Sequence, residues 1–306
     1  MNTKEIEYII AIAENDGIAN ASKVLFVTPS ALSQQLNKIE TDVGAKLFRR
    51  DKSGWHITPE GCVYLENAYE IMQIKKRTYD IIADMVQKKD ITISVGITPG
   101  RSQDMLAYVY PKFHSIYPQC IVQPMELSVL KQQERIHKGT LTVGLVTLMD
   151  SQKDNDEYID LYSEEIMLAV PHGMKLPDVS APVDPKDHFP TVSIRSLTGQ
   201  PFILLYKEST VRALIDPIFQ KASLTPKVLF ETSSTETILG LIRGQMCCSF
   251  IPYYYVKDKP DGIDFYHLPS RPSWKVCAAY RKGGYLSRAS RTFVQLAKEY
   301  WMRPDG

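Results

Sequence analysis

The chain has 306 residues, 44% of them hydrophobic, and a formal net charge of +1. That length suits two or three compact units with sizeable cores, and a charge so near neutral excludes any argument for nucleic-acid binding from net charge alone. No run of 18 apolar residues is present, acids interrupt the first apolar stretch, and the five scattered cysteines and six dispersed histidines lack metal-ligand spacing, so a cytoplasmic protein without metal or cofactor is expected.

Residues 1–58 read as short helices followed by a two-stranded wing. Ile6, Ile9, Ile10 and Ala13 repeat at helical spacing, and Asn15-Asp16-Gly17 ends that helix. A second short helix covers 19–25. Phe26-Val27-Thr28 breaks it, and Thr28-Pro29 opens a third, with Thr as N-cap and Pro at the first helical position. On that helix Leu32, Leu36 and Ile39 face inward, while Ser30, Ser33, Gln34, Asn37 and Lys38 face outward. Gly44 ends the helical region, and 46–51 and 55–57 bracket Lys52-Ser53-Gly54 as the wing. Such a unit can set side chains against base edges in the major groove. Gln34, Gln35, Asn37 and Lys38 have the reach and the hydrogen-bonding groups for that. Thr28, Ser30 and Ser33 suit phosphates or short-range base contacts, and Arg49, Arg50 and Lys52 suit backbone phosphates or the minor groove. Taken singly, each feature is also what a solvated amphipathic helix shows.

Thr58-Pro59-Glu60-Gly61 repeats the start signal and opens an unbroken run to residue 89, roughly 45 Å of helix. Leu65, Ala68, Met72, Tyr79, Ile82 and Val86 keep a 3-4 spacing interrupted by Lys75; Ile71, Ile74, Ile81 and Met85 lie beside them. A helix with two apolar stripes is not stable alone. It packs against another copy of itself, giving a homodimer, or docks in the core of its own chain.

From residue 91 strands alternate with helices. Strands are predicted over 91–97, 121–125, 141–146, 166–170, 202–205, 228–231, 247–251 and 276–280, and helices over 103–117, 129–138, 211–221, 236–243 and 287–301. This is an α/β pattern large enough for two subdomains, with a Pro-rich loop over 177–190. Three predicted helices start beside hydroxyls: Thr98-Pro99-Gly100-Arg101-Ser102, Ser209-Thr210 and Ser233-Ser234-Thr235. Free N–H groups at helix starts suit anions, and Arg101 would add a charged fork. N-capping alone reads the hydroxyls equally well, and a loop arginine in solvent reads Arg101. Cys247-Cys248 is a packed thiol pair or a redox switch. Tyr253-Tyr254-Tyr255 lines a cleft or hinge, or simply packs. Glu164 and Glu165, as neighbours on a strand, point to opposite faces and cannot act together. No nucleophile–base motif is present, so no enzyme is expected.

The segments Val27-Thr28-Pro29-Ser30-Ala31-Leu32-Ser33-Gln34-Gln35-Leu36, Ile39-Glu40, Val43-Gly44-Ala45-Lys46-Leu47-Phe48-Arg49-Arg50 and Ile57-Thr58-Pro59-Glu60-Gly61 together resemble the LysR-type transcriptional regulators. The match continues through Gly96, Phe113, Tyr117-Pro118, Gly139, Gly144 and 227–252, nearly the whole chain. Pro29 stands where the family usually carries a polar residue such as Gln, and Thr142 stands where its effector domain carries Asp. The resemblance implies an α/β protein with an all-α N-terminal unit. Its parts are a winged helix-turn-helix over 1–58, a linker and dimerisation helix over 59–89, and an effector-binding domain over 90–306. That last domain resembles type 2 periplasmic binding proteins, with subdomain I at 90–164 and 269–306 and subdomain II at 165–268. Its partners would be double-stranded DNA, a small-molecule effector, further copies in a homodimer or homotetramer, and RNA polymerase, with no membrane. The effector site would comprise Thr98, Gly100, Arg101, Ser102, Thr147, Ser209, Thr210, Ser233 and Ser234, and the single basic side chain among them points to an anionic effector.

Overall fold

The computed structural model describes residues 2–86, 91–182, 187–256 and 260–303. Two compact units are present: one holds the described residues up to 86 with His137–Thr140 and Gly283–Ser287, and the other holds the rest.

The first unit runs α1 (Thr3–Glu14), α2 (Ile18–Val24), α3 (Pro29–Val43), β1 (Phe48–Asp51), β2 (Gly54–Ile57) and α4 (Pro59–Met85). Helix starts follow the predicted chemistry. Thr28 Oγ1 accepts from Ala31 N at 3.2 Å and Thr58 Oγ1 from Gly61 N at 2.9 Å, and a proline follows each cap. Ile6, Ile9, Ile12, Leu32, Leu36, Ile39, Leu47, Leu65 and Ala68 form one core, so the inward face read for α3 is the observed one. The antiparallel wing pairs Phe48 with Ile57. The apolar stripe of α4 divides in two. Leu65 and Ala68 are buried in this core, and Met72 packs against it. Beyond them Ile74, Tyr79, Ile82, Met85 and Val86 are exposed. The expected continuation to Lys89 lies outside the described residues.

The second unit contains β3 (Thr92–Ile97), α5 (Ser102–Ile116), β4 (Ile121–Glu126), α6 (Val129–Lys138) except its last two residues, β5 (Val143–Leu148), β6 (Glu157–Pro171), β7 (Val179–Ser180) and β8 (Thr191–Val192). It continues with β9 (Pro201–Leu205), α7 (Thr210–Lys221), β10 (Lys227–Thr232), α8 (Thr235–Arg243), β11 (Ser249–Pro252), β12 (Ile263–Tyr266), β13 (Ser273–Tyr280) and α9 (Arg288–Trp301). The main sheet has the order β11-β6-β13-β5-β3-β4, with β12 also on β6. β6 pairs with β13 from Glu157 to Glu165, then with β11 and β12 from Ile166 onward. It is therefore the strand by which the chain passes from one α/β layer to the other. The parallel pair β9–β10 joins the second layer through a bridge between Phe202 and Cys248. Within the predicted loop over 177–190, residues 183–186 lie outside the described residues.

The predicted helices match α5 to α9 within a few residues. The strands differ from the expected set at β6, at β12 and at the two-residue pair β7–β8, whose first strand lies inside the predicted loop. β6 is 15 residues long rather than a short apolar segment, because its first half, rich in acids, has an exposed side. β12 was not expected: four residues, Ile263 to Tyr266, alternate buried and half-buried positions, too short a run to stand out.

Candidate nucleic-acid interface and effector cleft

On α3, Ser30, Gln34, Asn37 and Lys38 are exposed, and Ser33 and Gln35 are half-buried. Thr28 is exposed, but its hydroxyl is engaged as the cap and lies 3.2 Å from Ser30 Oγ. Lys38 Nζ sits 3.6 Å from Glu5 and keeps most of its side chain in solvent. Arg49, Arg50 and Lys52 are exposed on the wing. At the wing tip Asp51 Oδ1 accepts from Ser53 N at 2.8 Å and lies 3.1 Å from His56 Nε2. The Ser53 hydrogen bonds hold the Asp51 carboxyl down to about 2. The cap Thr28, the six candidate residues on α3 and the three wing bases thus share one small folded unit.

Glu40 organises that unit and was not singled out for it. Its side chain is buried; Oε1 accepts from Leu47 N at 2.9 Å and Phe48 N at 3.4 Å, and Oε2 lies 2.6 Å from Lys46 Nζ. The last turn of α3 is thereby tied to the strand bearing Arg49 and Arg50. The acid directly after the inward Ile39, quoted above only for the family resemblance, was the available signal. From the other side Trp55 closes on the α1–α2 turn, where a Cβ on Gly17 would lie 2.4 Å from the indole.

In the second unit the predicted effector residues divide. Thr210 Oγ1 donates to Thr147 O at 3.1 Å, linking the start of α7 to the end of β5. Thr98 N and Oγ1 both reach Leu145 O at 3.3 Å. Gly100, at φ 78°, accepts from Tyr255 Oη at 2.8 Å, and a Cβ there would lie 2.5 Å from that oxygen, so a side chain would strain the backbone and displace the Tyr255 hydroxyl. Ser102 Oγ donates to Glu126. The hydroxyls of Ser209 and Ser234 accept from Arg212 N and Thr237 N as ordinary caps, and Ser233 is exposed.

Arg101 does not present an open fork. It is 4% exposed, and Nη2 donates to Glu164 Oε2 at 2.6 Å. Its guanidinium carbon lies 5.2 Å from the Tyr254 ring centre and 5.3 Å from those of Trp274 and Trp301, a cation–π enclosure. Glu164 also accepts from Tyr254 N at 2.8 Å and Trp274 Nε1 at 2.6 Å, while Arg101 Nη1 is buried without a partner. The neighbouring Glu165 points the other way, to His267 Nδ1 at 2.7 Å and Arg271 Nη1 at 3.1 Å, as strand alternation requires.

The cysteines are those of a core. Cys120, Cys247, Cys248 and Cys277 are buried and Cys62 is exposed. Burial pushes the thiols of Cys247 up to about 11 and of Cys248 up to about 12. Among the described residues no helix is long and apolar enough to cross a membrane.

Residues 3–62 match the family model for bacterial regulatory helix-turn-helix proteins of the lysR family, and residues 87–302 match the LysR substrate binding domain. Over 310 residues the chain is 24% identical to the uncharacterized HTH-type transcriptional regulator YcgK of Bacillus subtilis, covering 98% of this chain and 94% of that one. A full-length OxyR variant from Pseudomonas aeruginosa superposes with a TM-score of 0.72 at 19% identity, covering 100% of this chain and 96% of the other. Full-length CbnR complexed with its target DNA superposes with a TM-score of 0.57 at 20% identity, covering 98% and 99%. At these identities the structures speak for the fold.

Proposed function

The chain belongs to the LysR family of bacterial transcription regulators, and from that premise we propose how its parts share the work. It has a DNA-binding helix-turn-helix and an effector-binding domain, and its family is one of regulators rather than enzymes. The divisions we adopt are 1–58 for DNA reading, 59–89 for linkage and dimerisation, and 90–306 for the effector, with subdomains meeting at 164/165 and 268/269.

In our reading α3 enters the major groove, with Gln34, Gln35, Asn37 and Lys38 at base edges and Thr28, Ser30 and Ser33 at phosphates or adjoining bases. Arg49, Arg50 and Lys52 hold the backbone. The observation that carries this is the polar outer face of α3 beside three exposed wing bases. The exposed second half of α4 pairs two chains, which sets two readers about 34 Å apart or a multiple of that. Higher assembly runs through the effector domains, whose edge strands expose Ile121 on β4 and Leu229 and Phe230 on β10. The regulator works in the cytoplasm, beside DNA and RNA polymerase.

The effector occupies the cleft bounded by Thr98, Gly100, Ser102, Thr147, Ser209, Thr210, Ser233 and Ser234. An anion suits the first-turn amides of α5, α7 and α8, with the unpartnered Nη1 of Arg101 as a further donor. Binding changes DNA affinity only through unequal affinity for two states of the domain. A neutral polar effector is the second reading, and Glu164 favours it, since it already balances Arg101. Thermal-shift screening of the full chain against small carboxylates and their amides separates the two. Stabilisation by the acids alone supports the anion; stabilisation by the amides alone overturns it.

A further inference from the structure

Phe26 has no role in the reading above. It ends α2 in the left-handed region, at φ 54°. Val27 N donates to Ser22 O at 3.0 Å and Phe26 N to Lys23 O at 3.4 Å. This pair of bonds is the helix-end motif in which glycine, and next asparagine, usually takes the left-handed position. An L side chain with a Cβ is disfavoured there. The ring gains nothing in return from the fold, because Phe26 is 96% exposed. A residue that strains the backbone and leaves its ring in water is poorly matched to the free protein. It is matched to a complex that covers the ring.

Two observations select the occupant. Phe26 stands two residues before Thr28, the cap of α3, at the helix end that leads into the groove in this mode of docking. Among the described residues, Val24 and Phe26 are the only large exposed apolar side chains before Val43. Such a patch is far too small for a stable protein interface, which needs on the order of 1,000 Å². The ring has no donor or acceptor, so phosphates and polar base edges gain nothing from it. The apolar group that the major groove offers is the thymine methyl.

We propose that Phe26 is a specificity residue, its ring packing on a thymine methyl beside the bases read from the N-terminal turn of α3. This rests on the DNA-reading proposal above. The test uses the full-length chain and a duplex that it selects from random-sequence DNA, with Phe26→Asn and Phe26→Gly as variants. Both replacements suit the left-handed turn, so their melting temperatures should equal or exceed that of the native chain. Their affinity should fall about fourfold to tenfold. Replacing the contacted thymine by uracil should weaken the native chain by a similar factor and leave the variants unchanged. If no sequence is selected, the DNA-reading proposal itself falls. If a sequence is selected and both variants bind it like the native chain, only the Phe26 assignment falls. A loss that ignores the uracil substitution moves the ring to the sugar and overturns the base contact. A change in sedimentation with unchanged DNA affinity gives the ring to a second copy and overturns it as well.

Discussion

Arg101 Nη2 lies 2.6 Å from Glu164 Oε2, at the end of the stretch where β6 pairs with β13. The pair joins the start of α5 to the crossover strand, and Tyr254 and Trp274 close around it. Removing one partner of a buried pair leaves the other charge uncompensated, which costs about 3–5 kcal/mol. Glu164→Leu and Arg101→Leu should each lower the denaturation midpoint strongly. The double variant should be far less unstable than the sum of the two, though Tyr254 N and Trp274 Nε1 still lose an acceptor, at about 1–3 kcal/mol each. Additive losses in a double-mutant cycle by urea denaturation would mean that the two side chains are not coupled.

The ten proposed DNA contacts separate into two kinds by chemistry. Gln34→Ala should reduce the preference for the selected sequence over others while leaving the salt dependence alone. Arg50→Ala should weaken binding to all sequences and flatten the slope of log K against log salt by about one. Fluorescence anisotropy at several salt concentrations measures both. Unchanged binding in both variants would remove this face from the DNA.

Much of the architecture was legible because it rests on local rules. The Thr-Pro starts of α3 and α4, the inward Leu32, Leu36 and Ile39, and the βα alternation each depend on neighbours a few residues apart. What was not legible depends on distant partners. Glu164 and Arg101 are 63 residues apart, and no single sequence says that they meet. The acid-rich first half of β6 hides a strand because its exposed side follows no apolar rhythm. The stripe of α4 could be read as docked or as dimerising. Its first half is docked, and only the burial of Leu65 and Ala68 shows where that ends.

For the second half of α4 the test must avoid Met72, which packs on the winged-helix core. Ile74 is 66% exposed and Ile82 49% exposed, so Asp at either leaves the single chain's core untouched. In a dimer seam the two buried carboxylates would be strongly unfavourable. The full-length double variant Ile74→Asp, Ile82→Asp should sediment as a smaller species than the native chain and bind DNA more weakly, with its far-UV spectrum unchanged. Unchanged sedimentation would mean that this face is covered by something other than a second copy.

The rival reading, a thiol-based redox sensor, makes an opposite forecast from the same buried residues. The thiolate is the form that reacts. Burial pushes Cys247 up to about 11 and both Cys248 and Cys277 up to about 12, so at pH 7.5 almost none of these thiols is ionised. Cys248 Sγ also packs 3.7 Å from Met174 Sδ, within the apolar cluster of Phe202, Phe250 and Leu268. The native chain should therefore take up one equivalent of maleimide, at the exposed Cys62, and the rest only after denaturation. Peroxide before labelling should change nothing at Cys247 or Cys248. The same shifts set an alkaline limit. Unfolded thiols ionise near 9, while the folded ones stay protonated until about 11 to 12. The folded state then binds more protons, and stability must decline as pH rises through that window, having been fully present below it. Chemical denaturation at pH 8 and pH 10.5 should show the decline, and Cys247→Ala with Cys248→Ala should lessen it. Peroxide-dependent protection of either thiol in the folded chain at pH 7.5 would reinstate the redox reading.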